Sequence, residues 1–563
     1  MEPTPRNLIR WLFGSDAGPR NRFAPRWIFL RALAGIYFSA FLALYFQIRG
    51  LIGPNGILPA HSLLTAIARQ APGLARFWYA PTLFWQSSDS RMMMAVVWIG
   101  LAASVIAFVN VWPRLCFFLC FVCFLSFVTA AGDFSNYQSD GMLLEAGFLA
   151  LFFAPRGLWP GWGTHSPPPR AALFLLQYEW FRIYFESGIV KLLSGDQQWR
   201  SLTAMDEYYQ NGPLPTFIGW YVEHLPHWFH AVTAAGTLVM ELAIVWMLFL
   251  PRRIRIICFC IVTPWEIGVI LTANYAFLNY LVLALGFLLL DDRSLLTSIP
   301  QRFRHPLEEA VAPESVTVAE ERLSVITTPE WETQSPTNTA PEPEFPEKPG
   351  RLSGIRAHFH AARLAVTAVL LTWIAYAATG EMLRMAWPDF PLLGFPITAL
   401  EPFRIANQYG LFAVMTRGRY EIEFQGSNDG QNWTPYLFRH KPQAVNEMPG
   451  IYAPYQPRFD WNLWFASLTD FQNAEIVPLT EERLLDNDPD VISLFRENPF
   501  PQAPPRYVRA VLWQYWFTSL DEKHDTGNWW RRNLLGLYAP VITRDSDGKF
   551  GVVEWPEPLP PHD

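Results

Sequence analysis

Charge is what this sequence has little of. Only 17% of its 563 residues are Asp, Glu, Lys or Arg, against about 25% in soluble domains. That deficit, together with 43 Phe and 25 Trp, excludes an ordinary soluble domain and predicts a multi-pass membrane protein. Positive charge is not in surplus either. The net charge of −7 excludes nucleic acid as a partner. Cysteine is scarce: Cys116, Cys120, Cys123, Cys258 and Cys260 all lie in apolar runs, which predicts buried thiols rather than disulfides. The first three share a helix face, but no His or Cys loop nearby would complete a metal site. Gly-x-Ser-x-Gly, a phosphate loop and His-Glu-x-x-His are all missing, so hydrolase, nucleotide and zincin readings gain no support. No metal and no cofactor is expected. The N-terminus shows no short apolar segment with a small-residue cleavage site, so Trp27–Ile48 is expected as an uncleaved first span.

Apolar runs are plentiful. A bilayer crossing needs roughly 20 residues, and Trp27–Ile48, Met92–Trp112, Leu115–Ala131, Ala171–Leu193, Ala231–Leu250, Ile254–Leu271 and Leu364–Met382 meet that need. Met142–Ala154 and Tyr275–Leu290 are shorter and are read as spans or half-helices. Arginines gather in alternate loops, at Arg20, Arg22 and Arg26, Arg114, Arg156 and Arg170, Arg252, Arg253 and Arg255, then Arg293, Arg302 and Arg304. By the positive-inside rule those loops are cytoplasmic. The loop 49–91, with four arginines, fits least well. Nine spans follow, with the tail outside. Residues 1–26 are then a cytoplasmic arm and 27–302 a helical membrane domain of about eight spans. Residues 303–352 read as a disordered Pro-, Glu- and Thr-rich cytoplasmic linker, 353–387 as the ninth transmembrane helix, and 388–563 as an extracytoplasmic β-rich domain with helical insertions.

In the tail, Tyr420–Gln425 alternates as a half-buried strand does. Asn428-Asp429-Gly430 signals a hairpin turn back into a strand from Trp433 to Phe438. Tyr507–Phe517 is apolar enough for a strand buried on both faces, and Gly551–Trp555 suits an edge strand. Asp460–Leu468 and Pro489–Glu497 read as short helices. Asn432-Trp433-Thr434 is a glycosylation sequon, meaningful only in a eukaryotic secretory lumen.

The most informative charges are those inside apolar runs, because each is costly there. Glu179, Arg182 and Glu186 fall on one helix face, which predicts a buried Glu–Arg–Glu cluster. Glu145, Glu186, Lys191 and Glu266 fall in the outer half of the bilayer and Glu241 near its middle. Glu179, Arg182, Glu186, Glu241 and Glu266 are thus the expected membrane polar network. Lys191 lies off the Glu179 face and either snorkels to the interface or pairs structurally. Desolvated, it would instead be a base. Outer loops carrying Asp133, Asp140, Asp196, Trp199 and Asn274 converge on one mouth and are expected to dock against one another and the β-domain. His224, His227 and His230 have ligand-like spacing, but Pro226 interrupts their helix and Trp228 and Phe229 suit a segment lying at the interface.

Several motifs in one order resemble the lipase maturation factor family. They are Leu51–Ala60, Tyr137–Glu145, Ser187–Leu192 with Asp196 and Trp199, Leu271–Tyr275, Asn407–Phe412, Ala453–Trp461, Asn498–Phe500, Pro505–Arg509 and Trp529–Arg532. The resemblance implies a membrane-anchored, chaperone-like factor that assists secreted or extracytoplasmic clients, with Arg458, Asp460, Trp461, Trp529, Trp530 and Arg531 as client-binding candidates. The bilayer and a client protein would be the partners, the endoplasmic reticulum the site in eukaryotic relatives. The tail carries no cysteine, and Pro560–Asp563 is no retrieval signal, which suits a bacterial-type member of an inner membrane. The segment Gly188–Trp199 is also similar to the membrane domain shared with vitamin K-dependent γ-carboxylases. That implies an alternative, an enzyme acting on a lipid or quinone-like molecule, with Lys191 as base and Glu145 and Glu186 beside it. Both families pair a helical bundle with an extracytoplasmic β-sandwich, and Glu421–Phe438 looks like a jelly-roll module of the discoidin type.

Overall fold

The structure, a computed structural model, describes residues 5–559 apart from 136, 297–298, 302–303, 305–350 and 546. The expected linker at 303–352 therefore lies outside the described residues except for 304, 351 and 352. Among those described, six helices are long and apolar enough to cross a membrane: Phe23–Ile52, Ser90–Phe108, Pro113–Ala130, His227–Phe249, Arg252–Thr272 and His358–Ala386. We label the bundle helices α1 (Phe23–Ile52), α2 (Ser90–Phe108), α3 (Pro113–Ala130), α4 (Gln138–Phe153), α5 (Arg170–Leu193), α6 (His227–Leu242), α7 (Arg252–Thr272), α8 (Leu278–Gly286) and α9 (Arg351–Ala386). α5 has the length of a span but carries the charges noted above, and it is buried among its neighbours along most of its course. α4 and α8 are shorter, matching the two short apolar runs.

The two ends of the bundle differ in chemistry. At one end arginines stitch helix termini together. Arg26 donates to the carbonyls of Ser166, Trp162 and Gly163 at 2.6, 2.9 and 2.9 Å, and Arg114 donates to Ala154 O at 2.7 Å. The start of α1 lacks a local side-chain cap. Asp292, distant in sequence, supplies one by accepting from the Phe23 and Ala24 N–H groups at 3.1 and 2.7 Å, which satisfies donors that no helical turn can. The opposite end carries the β-domain. Four of the five thiols are buried, but Cys260 is exposed on α7. The expectation of burial fails there because α7 lies at the bundle's edge and turns that face outward.

The C-terminal domain is built on one six-stranded antiparallel sheet of order β2-β1-β3-β5-β6, with β4 also paired to β3. Its strands are β1 (Arg419–Ser427), β2 (Thr434–Pro435), β3 (Tyr507–Phe517), β4 (Trp530–Leu537), β5 (Val541–Arg544) and β6 (Phe550–Glu554). β1 and β3 run side by side with Ile422 opposite Leu512. Asp429 holds the hairpin by accepting from the Gln431 and Asn432 N–H groups at 2.8 Å each. Two helices, α10 (Arg458–Ser467) and α11 (Ile476–Leu485), lie against the sheet; Ser467 Oγ donates to Tyr420 O at 3.0 Å. Two expectations change. β1 is buried at all nine positions rather than half, because its polar side meets a buried ion network: Glu421 accepts from Arg419 and from Lys441. β3, expected to be buried on both faces, leaves Trp513 and Gln514 partly exposed. One hydrophobic core runs without a break from Phe124 of the bundle to Phe424 of the sheet.

Candidate functional site

The mouth of the bundle and the β-domain share one buried polar junction. Three anchors hold it. Arg458, at the start of α10, reaches Asp140 at the start of α4 through two 2.7 Å bonds and donates to Phe134 O at 2.8 Å. Both side chains are fully buried. Asn274, between α7 and α8, donates to Gly450 O at 2.9 Å and accepts from Tyr452 N at 2.8 Å. Gln47, near the end of α1, donates to Tyr455 Oη and to Gln456 O at 3.0 Å each. Burial pushes the Tyr455 hydroxyl up to about 12, so it stays protonated at that contact.

A loop preceding β1 enters the bundle itself. Arg182 of α5 is bonded to Glu145 of α4, lies 3.8 Å from Glu186, and donates to Asn407 O at 2.6 Å. Asn407 in turn donates its N–H to Glu145 at 3.1 Å, and the Tyr409 N–H donates to Glu186 at 2.6 Å. The two carboxylates are thus closed by backbone N–H donors from the tail, and the guanidinium by a backbone carbonyl of the same loop. Such closure is required, because removing a partner from a buried charge is strongly destabilising. Asp196 accepts from Met415 N at 2.8 Å, and Trp199 Nε1 donates to Phe412 O at 2.9 Å. Asp133 is exposed in the adjoining turn.

The other face of α5 carries a second cluster. Lys191 donates to Glu241 at 2.8 and 2.9 Å and to Ser187 Oγ at 2.6 Å, and lies 5.2 Å from the Trp199 ring centroid. It is 3% exposed, so the snorkelling alternative is corrected. Gly188 is the reason: a Cβ there would come within 2.9 Å of Glu241 Cβ, so only glycine lets α6 come this close. Tyr184 donates to Glu266 of α7 at 2.5 Å. The Glu179 carboxyl, buried on the first face, has no hydrogen-bond partner among the described residues. The expected network is therefore two clusters. The candidate catalytic trio is divided between them: Glu145 and Glu186 belong to Arg182, and Lys191 belongs to Glu241.

The client-binding candidates separate by exposure. Arg458, Asp460, Trp461 and Trp530 are buried, and a buried side chain cannot meet a client. Arg458 serves the junction. Asp460 accepts from the His440 and Lys441 N–H groups at 3.2 Å each. Trp530 packs beneath Arg419. Arg531 is exposed and Trp529 half-exposed. The three histidines go separate ways, His224 to Thr518 O, His227 to Asp206 and His230 to Leu225 O. Sequence reasoning missed Asn407, Tyr409, Gln47 and Ser187 as site residues. The motifs Asn407–Phe412 and Ser187–Leu192 offered a signal for three of them, and nothing did for Gln47.

Comparison with known proteins agrees along the chain. A family model described as the lipase maturation factor transmembrane domain matches residues 24–297, and one described as the lipase maturation factor C-terminal domain matches residues 405–540. Lipase maturation factor 2 of Gallus gallus is 31% identical over 92% of this chain and 81% of its own length. Lipase maturation factor 1 of Bos taurus is 29% identical over 95% and 92%, and lipase maturation factor 2 of Homo sapiens is 29% identical over 92% and 82%. No solved structure matches.

Proposed function

Since this chain belongs to the lipase maturation factor family, we propose that it is a membrane-anchored factor that assists the folding or assembly of a secreted lipase. The observation that carries this reading is the junction. One buried ion pair and a set of buried hydrogen bonds fix a folded β-domain to one end of a membrane bundle, which suits a rigid platform for a client. The arginine-rich helix ends lie at the other end, which supports an extracytoplasmic β-domain. That is the lumen in an endoplasmic reticulum, or the outer side of a bacterial inner membrane. The client surface centres on Trp529, Arg531 and the exposed Tyr221, whose ring lies 6.3 Å from that of Trp529. Exposed aromatics beside arginine are the residue types that dominate protein interfaces.

Co-expression with a secreted lipase in cells lacking their own factor tests this. Active lipase per mass secreted should rise several-fold with the wild type, and fall back with Trp529→Ser combined with Arg531→Glu. The variant must still accumulate in the membrane. No rise with the wild type would refute the function, and an unimpaired variant would refute the surface.

A further inference from the structure

A cavity of about 700 Å³ lies between α5, α6, α7 and α8, within the 300–1,000 Å³ of small-molecule sites. Its walls are mainly apolar, and it opens sideways. Val232 on α6 and Ile261 on α7 line it and are 63% and 41% exposed. Both belong to helices long and apolar enough to cross a membrane, which puts the opening on a face suited to the bilayer. Gly268, also at the opening, has no atom within 4 Å of where a Cβ would sit.

The inner wall is polar. Lys191 and Glu241 face the cavity as a pair, and Glu266, which accepts from Tyr184, lines it as well, so the wall offers hydrogen-bonding groups with two carboxylates to one ammonium. Asn279 of α8 is 8% exposed and lines the same space, and its Nδ2 has no hydrogen-bond partner among the described residues. A buried amide donor left unpaired destabilises the fold, and an oxygen acceptor arriving through the cavity would remove that cost.

We propose that this cavity is a lipid-binding site that takes one acyl chain from the bilayer between α6 and α7, with a neutral acceptor oxygen of the lipid, such as an ester carbonyl, against Asn279 and the Lys191–Glu241 pair. No reaction is part of the proposal. The apolar walls hold the chain, the side opening admits it without passage through water, and an inner wall with two carboxylates, Glu241 and Glu266, to one ammonium selects an uncharged polar group over a free anion.

The test uses the full chain in nanodiscs of phosphatidylcholine containing a small fraction of the same lipid with a photoactivatable diazirine in one acyl chain. Cross-linked peptides are then mapped by mass spectrometry. Adducts on Met240 or Glu241, inside the cavity, are expected alongside adducts on the outward-facing Ile257. Gly268→Phe, which projects a ring into open space at the mouth, should reduce the interior adducts several-fold and leave those at Ile257 unchanged. Asn279→Leu should do the same and, by removing the unpaired amide, raise the melting temperature in lipid-free detergent. Wild-type adducts confined to outward-facing residues would overturn the proposal. So would interior adducts indifferent to both substitutions.

Discussion

Arg458 and Asp140 illustrate what one pair of side chains does here. They are fully buried, joined by two bonds, and belong to different halves of the protein. Removing one partner leaves a charge in a dry site, which costs about 3–5 kcal/mol. Arg458→Met should therefore lower the melting temperature of the purified protein sharply. Adding Asp140→Leu should recover part of the loss, and a double-mutant cycle measures the coupling. Glu481 of α11 tests a different term. Burial holds its carboxyl well above the ordinary 4.5, opposed only partly by the Ala510 backbone. Between those values the folded chain binds a proton that the unfolded chain has lost, so stability falls as pH rises through that window. Glu481→Gln should remove this slope. Its melting temperature should exceed the wild type's by a margin that widens from about pH 5 to pH 8.

At the scale of elements, α1 depends on a cap it does not carry. Asp292→Ala should cost about 0.5–2 kcal/mol, the usual worth of a helix cap, and hydrogen exchange at the Phe23 and Ala24 amides should quicken first. Elements like α1 were legible because their apolar runs are long. β3 was legible to the residue for a related reason, an apolar run between turn signals. β4 was not foreseen: Arg531, Arg532 and Asn533 face solvent, and a strand exposed there leaves little periodicity to find. The charges in α5 were legible as a cluster, but their division was not. Helical phase separates Arg182 and Glu186 from Ser187 and Lys191, yet the partners Asn407 and Glu241 come from elsewhere in the chain. No local pattern announces them. Arg458, Asp460 and Trp461 misled for the same reason, since a motif with charge and aromatics suits an interface between partners or between domains of one chain.

For the whole molecule, the prediction is orientation. In a cysteine-free background, Asn428→Cys should react with a membrane-impermeant maleimide added outside intact cells, and Arg253→Cys should react only after permeabilisation. Both positions are exposed, so a reversed pattern would reflect sidedness rather than burial. The continuous core predicts that both halves melt in one transition followed by intrinsic fluorescence. The loop that brings Asn407 and Tyr409 to the charges of α5 has a further consequence during synthesis. A ribosome delivers α4 and α5 to the insertion machinery more than 200 residues before it delivers Asn407, the span from Arg182 to that residue being 225. Until then Glu145 and Glu186 must wait in the bilayer without the amide groups that finally hold them, so a nascent chain stalled before residue 407 would present itself to membrane quality control as an unfinished product.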